Sequence, residues 1–542
     1  MIDARRARDL ITLLEQTASA YPTLALYNFI DAMPGAVQAM TGSDLLHRAQ
    51  LLAGSLQAVS GRRRHVVLMY TNDELRELVE ALFAVILSGH VPVLVRASLP
   101  ADRHSLLSII TTLEPAVVLV SEQRLRTLAD LLAHHGHRLS AAPHVAALST
   151  LKRGPWRRPA LNGSHVALKL PAKTGLRSGA EPSATAGFKA YTHADVLNSL
   201  LHLEKVMALR DDDRLFAWQA MNGIRPLLLH VLMPVYAALP SYLGMAAGVP
   251  VTPERWWSAI NQHGCTVAGS YTTSLLSGKD SSVVMAGGKS TLRLYYESDR
   301  LANPVLLRRM MACFRRQQIQ PPELCFLYEP ALFDGVILAR QDISTICVAG
   351  RMLLGVGCES GSHRWNLQRL PDSIARNLVP ATGDACLVSW TRAGAGKAVR
   401  QTPVQDIVVV RNDTLYILGQ FDNLIQSGSH LVCAEHLEAL ITQHFLKRHI
   451  SHCMAIGGNH RQEIVLMVEC ARKAPAETWR GLVPDIVKLM AEVLGLPAPR
   501  VLLLRPGSLP KTDAGTLQRA RCRELFQSGA IMTRLQPVRG KA

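Results

Sequence analysis

Three things are in short supply in this chain of 542 residues: aromatic side chains at 5%, acidic residues (42 Asp+Glu against 59 Lys+Arg), and any pairing among its ten cysteines. Each shortage excludes something. No two cysteines form a CxxC unit, so a zinc ribbon or dithiol redox motif is not supported, and scattered thiols are expected to be reduced in a cytoplasmic chain. The first residues, Met1 to Leu10, are polar and charged and lack the apolar centre of a signal peptide. The basic surplus of +17 would suit nucleic acid, a membrane surface or an acidic partner, or simply reflects arginine spread over solvated faces. Runs such as Arg62-Arg63-Arg64 and Arg157-Arg158 are short and lack the interleaved aromatics of a single-strand groove. No nucleic-acid partner is expected.

A transmembrane segment is also lacking, although one stretch needs a test. Pro226 to Val251 contains no Asp, Glu, Lys or Arg and is long enough to span a bilayer. It carries Pro226, Pro234, Pro240, Pro250 and His230, which would leave backbone groups unsatisfied in lipid. A buried helix followed by a strand is the expected reading. No internal repeat is present.

What remains is an ordinary globular composition, 48% hydrophobic and 19% charged, with enough chain for a large core and more than one domain. The first part alternates strand and helix. His65 to Tyr70 is strand-like, and Thr71 with Glu74 has capping-box spacing. Leu75, Leu78, Val79, Leu82, Phe83 and Ile86 then share one helical face, and Gly89 ends the helix. Val91 to Val95 and Ala116 to Val120 read as further strands, with helices through Leu106–Ile110 and Glu122–Ala133. This rhythm predicts an α/β fold with a largely parallel sheet covered on both faces. Lys173 to Gly187 and Arg392 to Pro403 read as loops. Strands at Leu415–Leu418, Glu463–Val468 and Val501–Leu504, with helices at Glu435–Gln443 and Val483–Val493, predict a small separate α+β unit.

The run Leu503-Leu504-Arg505-Pro506-Gly507-Ser508-Leu509-Pro510-Lys511-Thr512-Asp513-Ala514-Gly515-Thr516-Leu517-Gln518-Arg519 resembles the terminal motif of the adenylate-forming superfamily, most closely that of the fatty acyl-AMP ligases, LPKT-x-x-GK-[LI]-x-R. The resemblance covers nearly the whole chain. Leu10 to Gly89 looks like the family's opening. Trp256 to Ser270 resembles its helix and the strand lining the acyl tunnel. Leu415-Tyr416-Ile417-Leu418-Gly419 resembles the LYVTG strand before the hinge, and Glu438 sits where the next helix keeps a Glu. The resemblance implies a large adenylate-forming domain with parallel-rich sheets at 1–419, a small mobile α+β domain at 420–530 and a basic tail, expected to fray, at 531–542.

It also implies a chemistry: fatty acid and ATP, with Mg²⁺, form an acyl-adenylate, and the acyl group passes to an acyl carrier protein. Carboxylate and phosphate are both anions, so the site must supply positive charge and alignment. The phosphate loop corresponds to the stretch with Lys173, Thr174 and Gly175, without the family's Ser-Gly-Ser-Thr string; Lys173, Arg177 or Lys189 could add charge, and a ligand-free surface loop is the other reading. The Mg²⁺ carboxylate corresponds to Glu329, which reads equally as a surface or core-edge residue. The ribose Asp corresponds to Asp406, with Thr382-Gly383-Asp384 as an alternative too far upstream. The ribose-contacting Arg is replaced by Gln420, and the hinge pair by Asp422 and Asn423. The YHDMG segment becomes Gln219-Ala220-Met221-Asn222-Gly223, and the adenine-framing segment becomes Tyr296-Glu297-Ser298-Asp299-Arg300. The sharpest departure is Thr516 at the position of the catalytic lysine. Lys511 matches the motif's own lysine and is no spare.

Three readings follow. The first is a pseudoenzyme that keeps the fold to bind a fatty acyl chain, a nucleotide or a protein partner in a lipid, polyketide or lipopeptide pathway. The second is an active, divergent ligase with a relocated cation. The third is a nucleic-acid or membrane-surface binder that uses the charge.

Overall fold

The computed structural model describes residues 7–30, 37–59, 64–95, 103–135, 143–171, 188–219, 221, 223–244, 252–270, 290–297, 303–328, 338–340, 345–355, 363–379, 385–392, 406–445, 450–458, 463–470, 481–511 and 517–535. The loops expected at 173–187 and 393–403 lie outside them.

Among these residues two parallel-rich sheets dominate. One has six strands in the order His144–Ala146, Val117–Val120, His65–Met69, Val91–Leu94, Val166–Pro171 and Phe188–Thr192. All its neighbours are parallel except the last pair. The other has eight strands, ordered Leu338–Arg340, Glu323–Tyr328, Leu294–Glu297, Val267–Ser270, Leu215–Ala217, Ser241–Gly244, Ala25–Ile30 and Gln38–Thr41, with antiparallel pairs only at its edges. The expected α/β class is what the structure shows.

The largest apolar cluster lies between these sheets. It takes Leu26, Tyr27 and Phe29 from one and Val66, Leu68 and Leu119 from the other. Helix Leu75–Leu87 packs on the six-stranded sheet and against helix Gly42–Val59. After its amphipathic first turns every residue from Ala81 to Leu87 is buried, as expected of a helix held between strands His65–Met69 and Val91–Leu94 and the helices Gly42–Val59 and Leu10–Ala20. The Glu74 carboxylate accepts the Thr71 N–H at 2.8 Å, and Gly89 leaves the helix at φ +79°, where glycine carries no steric cost. The outer faces are covered separately. Leu128 and Leu132 pack on the six-stranded sheet; Trp256, Trp257 and Phe314 pack on the eight-stranded one.

The uncharged stretch is a buried helical segment followed by strand Ser241–Gly244, as its prolines implied. Leu227 to Leu232 are wound as a π-helix, all buried. Pro234 has no N–H to return to His230, and a wide turn absorbs that missing bond. Among the described residues no helix is long and apolar enough to cross a membrane.

The chain after residue 363 changes character. An antiparallel sheet, His363–Arg369, Cys386–Arg392, Asp406–Arg411 and Thr414–Gln420, precedes a three-stranded one in which Leu378–Val379 pairs with His430–Cys433, itself paired with Leu424–Ser427. Then come helix Ala434–His444, strands Ile450–Gly457 and Ile464–Cys470, helix Leu482–Leu494 and strand Arg500–Leu504. The expected strands and helices of this part are all present. Of the tail, the described residues end at 535: Ile531 is fully buried, Met532 and Thr533 are exposed, and Leu535 bridges to Leu504.

Candidate active site

The terminal motif is built on strand Arg500–Leu504. Gly507 turns the chain at φ +76°. The Leu509 N–H then donates to the Glu469 carboxylate at 2.9 Å, and Lys511 Nζ reaches the same group at 2.9 Å. His452 Nδ1 stands 3.2 Å from it, and Ser451 Oγ donates at 3.0 Å. Burial by itself would raise the Glu469 carboxyl. The bonds from His452, Leu509 and Lys511 outweigh it and bring the pKa down to about 2.

Lys511 and Leu517 pair across an antiparallel bridge, and the Gln518 N–H donates to the Pro510 carbonyl at 2.9 Å. The two ends of the segment holding Thr516 are therefore fastened together. Thr516 itself lies outside the described residues. Beyond the bridge, helix Arg519–Gln527 opens with Arg519 clamped to Glu438, at 2.5 Å through Nη1 and 2.9 Å through Nη2. Arg519 Nη1 also donates to the Ala455 carbonyl at 2.5 Å, and the Ala455 N–H donates to Glu438 at 2.7 Å. Burial raises the Glu438 carboxyl, and the guanidinium beside it works against that rise.

The hinge candidates join this network. Asn423 Nδ2 donates to the Gln420 side-chain carbonyl at 2.8 Å and to Glu435 Oε1 at 2.5 Å. The Gln420 N–H donates to Glu435 Oε2 at 3.3 Å, and Glu435 is 3.7 Å from Arg519. A Cβ on Gly419 would stand 2.7 Å from the Glu435 carboxylate, so the strand can approach that group only through a glycine. Glu435 was missed in reading the sequence. Its signal was available: it stands three residues before Glu438 on one helix, hence on the same face.

Asp406 is buried and lies directly opposite Gln420 in the antiparallel register. The two ribose-position candidates thus come together, with Asp422 two residues on in the turn Phe421–Asn423. Lys173, Thr174, Gly175 and Glu329 lie outside the described residues. The arms of the phosphate-loop segment are ordered, with Pro171 opposite Phe188. The helix after it opens with both bonds of a capping box: Thr192 Oγ1 accepts the Asp195 N–H at 3.1 Å, and Asp195 accepts the Thr192 N–H at 3.0 Å. Lys189 lies over the Tyr191 ring, 5.6 Å from its centroid. The described residues hold no group of three or more His, Cys, Asp or Glu side chains that could take a metal.

A second polar cluster sits inside the eight-stranded sheet. The Tyr296 hydroxyl is hydrogen-bonded to His230 Nε2 and accepts from Gln219 Nε2 at 3.4 Å. His230 is fully buried, and burial depresses its pKa to about 3, so it is neutral. The Tyr296 ring is seated on Gly269, where a Cβ would stand 2.0 Å from ring carbon. Gln219 and Tyr296 come from the two segments that the resemblance sets against YHDMG and the adenine frame. Gly269 belongs to the strand that the resemblance places along the acyl tunnel.

The architecture is that of the adenylate-forming enzymes, a large α/β body carrying a small α+β unit with the terminal motif. No protein-family model matches the chain. Among curated proteins it is similar to the medium-chain-fatty-acid–[acyl-carrier-protein] ligase JamA of Moorena producens (strain JHB), 18% identical, with 96% of this chain and 95% of that protein covered. A solved structure from work on fatty acyl-adenylate ligases of E. coli and L. pneumophila superposes with a TM-score of 0.79 at 17% identity, covering 97% of this chain and 99% of the other. The L. pneumophila fatty acyl-adenylate ligase in complex with acyl adenylate and pyrophosphate gives a TM-score of 0.66 at 14% identity, with 97% of each chain covered.

Proposed function

We propose that this protein is a degenerate fatty acyl-AMP ligase-like pseudoenzyme, which keeps the fold to bind an acyl chain, a nucleotide or a protein partner such as an acyl carrier protein. One observation carries the reading. Thr516 stands where the motif has its lysine, and the cations flanking it are both committed elsewhere, Lys511 to Glu469 and Arg519 to Glu438. Neither is free to meet charge developing between a carboxylate and the α-phosphate. Losing one preorganised donor of this kind costs on the order of a hundredfold or more in rate. The Tyr296 ring on Gly269 supports the same reading, since an acyl chain running along that strand would have to displace it.

The end-to-end likeness to JamA favours a second reading, an active ligase using ATP and Mg²⁺ with its cation supplied from another segment. Fatty-acid-dependent ATP–pyrophosphate exchange across a panel of chain lengths decides between them. The expected result is no exchange above the lipid-free control from a folded sample. Clear exchange would establish the second reading. Thr516→Lys adds a finer test. A sharp gain in acyl-adenylate formation would mean that only the catalyst is missing, and no gain would mean that the nucleotide site has gone as well.

A further inference from the structure

On the outer face of the six-stranded sheet two basic side chains touch. Lys169 lies on strand Val166–Pro171 and His65 opens strand His65–Met69, with Val91–Leu94 between them. Lys169 stands opposite Val93, and His65 opposite Val91. Alternation along the strands therefore puts both side chains on the face that Val67, Met69 and Val93 share. Across the middle strand Lys169 Nζ donates to His65 Nε2 at 2.8 Å. On the far side of the ring, His65 Nδ1 is 3.2 Å from the Leu113 carbonyl. A carbonyl only accepts, so Nδ1 carries the ring proton and Nε2 presents its lone pair to the lysine.

The surroundings suit a reactive amine better than a structural cation. Lys169 forms no ion pair among the described residues, and burial draws its ammonium below the ordinary lysine range. Burial, then the charge of Lys169, lowers the His65 imidazole as well, so the ring is neutral at pH 7. The bond to Leu113 works the other way. Leu113 closes helix Arg103–Leu113, and the unpaired carbonyls at that end favour an imidazolium. The ring is thus neutral at rest and has a place to hold a proton. The pair is also within reach of solvent. Both side chains are only part-buried, and Ala190, directly opposite Lys169 on the edge strand, is small and exposed. Phe188, two residues along on the same face, packs with the apolar cluster there. A lysine set beside apolar surface, with a neutral imidazole in hydrogen-bond contact, is the arrangement of a nucleophile and its base.

We propose that Lys169 is a self-acylating lysine, with His65 as its general base and an activated acyl group, a thioester or an acyl-phosphate anhydride, as the co-reactant. The neutral amine adds to the acyl carbonyl and a carbon–nitrogen bond forms. His65 Nε2 takes the proton that the nitrogen sheds. The carbon–sulfur bond of the thioester, or the carbon–oxygen bond of the anhydride, then breaks. The leaving thiolate or phosphate collects that proton, and an amide remains on Lys169. Nothing in this step depends on Thr516 or on a bound nucleotide.

The full chain is incubated with acetyl phosphate and, separately, with acetyl-coenzyme A, and acetylated lysines are timed by peptide mass spectrometry. The exposed Lys152 and Lys488 serve as internal references. With at least one donor Lys169 should react about tenfold faster than either, and guanidinium chloride should abolish the preference. Which donor works identifies the source of the acyl group. His65→Gln keeps an acceptor for the lysine but no base, and should slow Lys169 on the order of a hundredfold while leaving Lys152 unchanged. The pH profile needs no variant: trace labelling of the native chain with acetic anhydride should place the Lys169 midpoint below that of a free lysine, about 10.4. Lys169 reacting no faster than Lys152 with both donors, a rate indifferent to His65→Gln, or a midpoint at the free-lysine value would each overturn the proposal.

Discussion

The terminal motif and the acidic surface outside the carboxyl ends of strands His65–Met69 and Val117–Val120 are both rich in carboxylates, and they treat them in opposite ways. Around the motif each buried carboxylate is consumed internally. Glu438 takes Arg519 and a backbone N–H, Glu469 takes Lys511, Leu509 and His452, and Glu435 takes the hinge amides. At the acidic surface acids outnumber bases, and the Tyr70 and Ser121 hydroxyls buried beneath it are unanswered. The contrast separates buried carboxylates that must be paired from an exposed acidic surface on which Glu80 and Glu74 have arginine partners and Glu77 forms no ion pair among the described residues. A buried pair is expensive to break from one side, because the remaining ion keeps its desolvation cost. A surplus carboxylate that is exposed to solvent, as Glu77 is, can be removed cheaply.

The largest effect should come from breaking the paired side of this contrast. Arg519→Leu leaves Glu438 buried and uncompensated, and should destabilise the protein by about 3–5 kcal/mol in chemical denaturation. Glu438→Leu/Arg519→Leu should recover most of that loss. If the double variant is no better than the single, the pair is held for something other than charge balance. Next is Glu469. Its folded pKa of about 2 lies below its unfolded value, so its contribution is complete above about pH 4.5 and is lost as pH falls towards 2, a difference of about 3 kcal/mol. Glu469→Gln should flatten that part of the stability–pH curve, measured by urea titration at each pH. An unchanged slope would mean that other groups carry the acid sensitivity. The smallest effect is expected beneath the acidic surface. Tyr70→Phe removes a hydroxyl with no partner and should change stability by no more than about 0.5 kcal/mol, in either direction. A loss of several kcal/mol would show the hydroxyl to be structural and erase the contrast.

Much of the fold was legible because local signals agreed with it. The spacing of Leu75 to Ile86, the Thr71–Glu74 cap and the left-handed Gly89 mark one helix completely, and the prolines of 226–251 rule out a membrane span. The π-wound turn at Leu227–Leu232 was not legible, since it depends on how the missing Pro234 bond is absorbed in place. The motif at 503–519 could be read as a string, and so could the absence of lysine at 516. What occupies its neighbours could not. Glu469 is 42 residues from Lys511, and Glu438 is 81 from Arg519, and nothing in a single sequence pairs them. The acidic surface was hidden for a related reason. It is assembled because Val117–Val120 is added on the side of His65–Met69 away from Val91–Leu94, and strand order is a property of assembly and not of local pattern.

Glu435 carries one more consequence. Its carboxylate is held by Gln420 and Asn423, the hinge candidates, and lies beside Arg519 at the root of the terminal helix. A swing of helix Ala434–His444 about residues 420–423 would have to let go of those amides, and would pull on the guanidinium that anchors the motif. One carboxylate therefore ties together the end of strand Thr414–Gln420, the turn after it and the guanidinium that opens helix Arg519–Gln527, so a load on any one of them is shared by the other two.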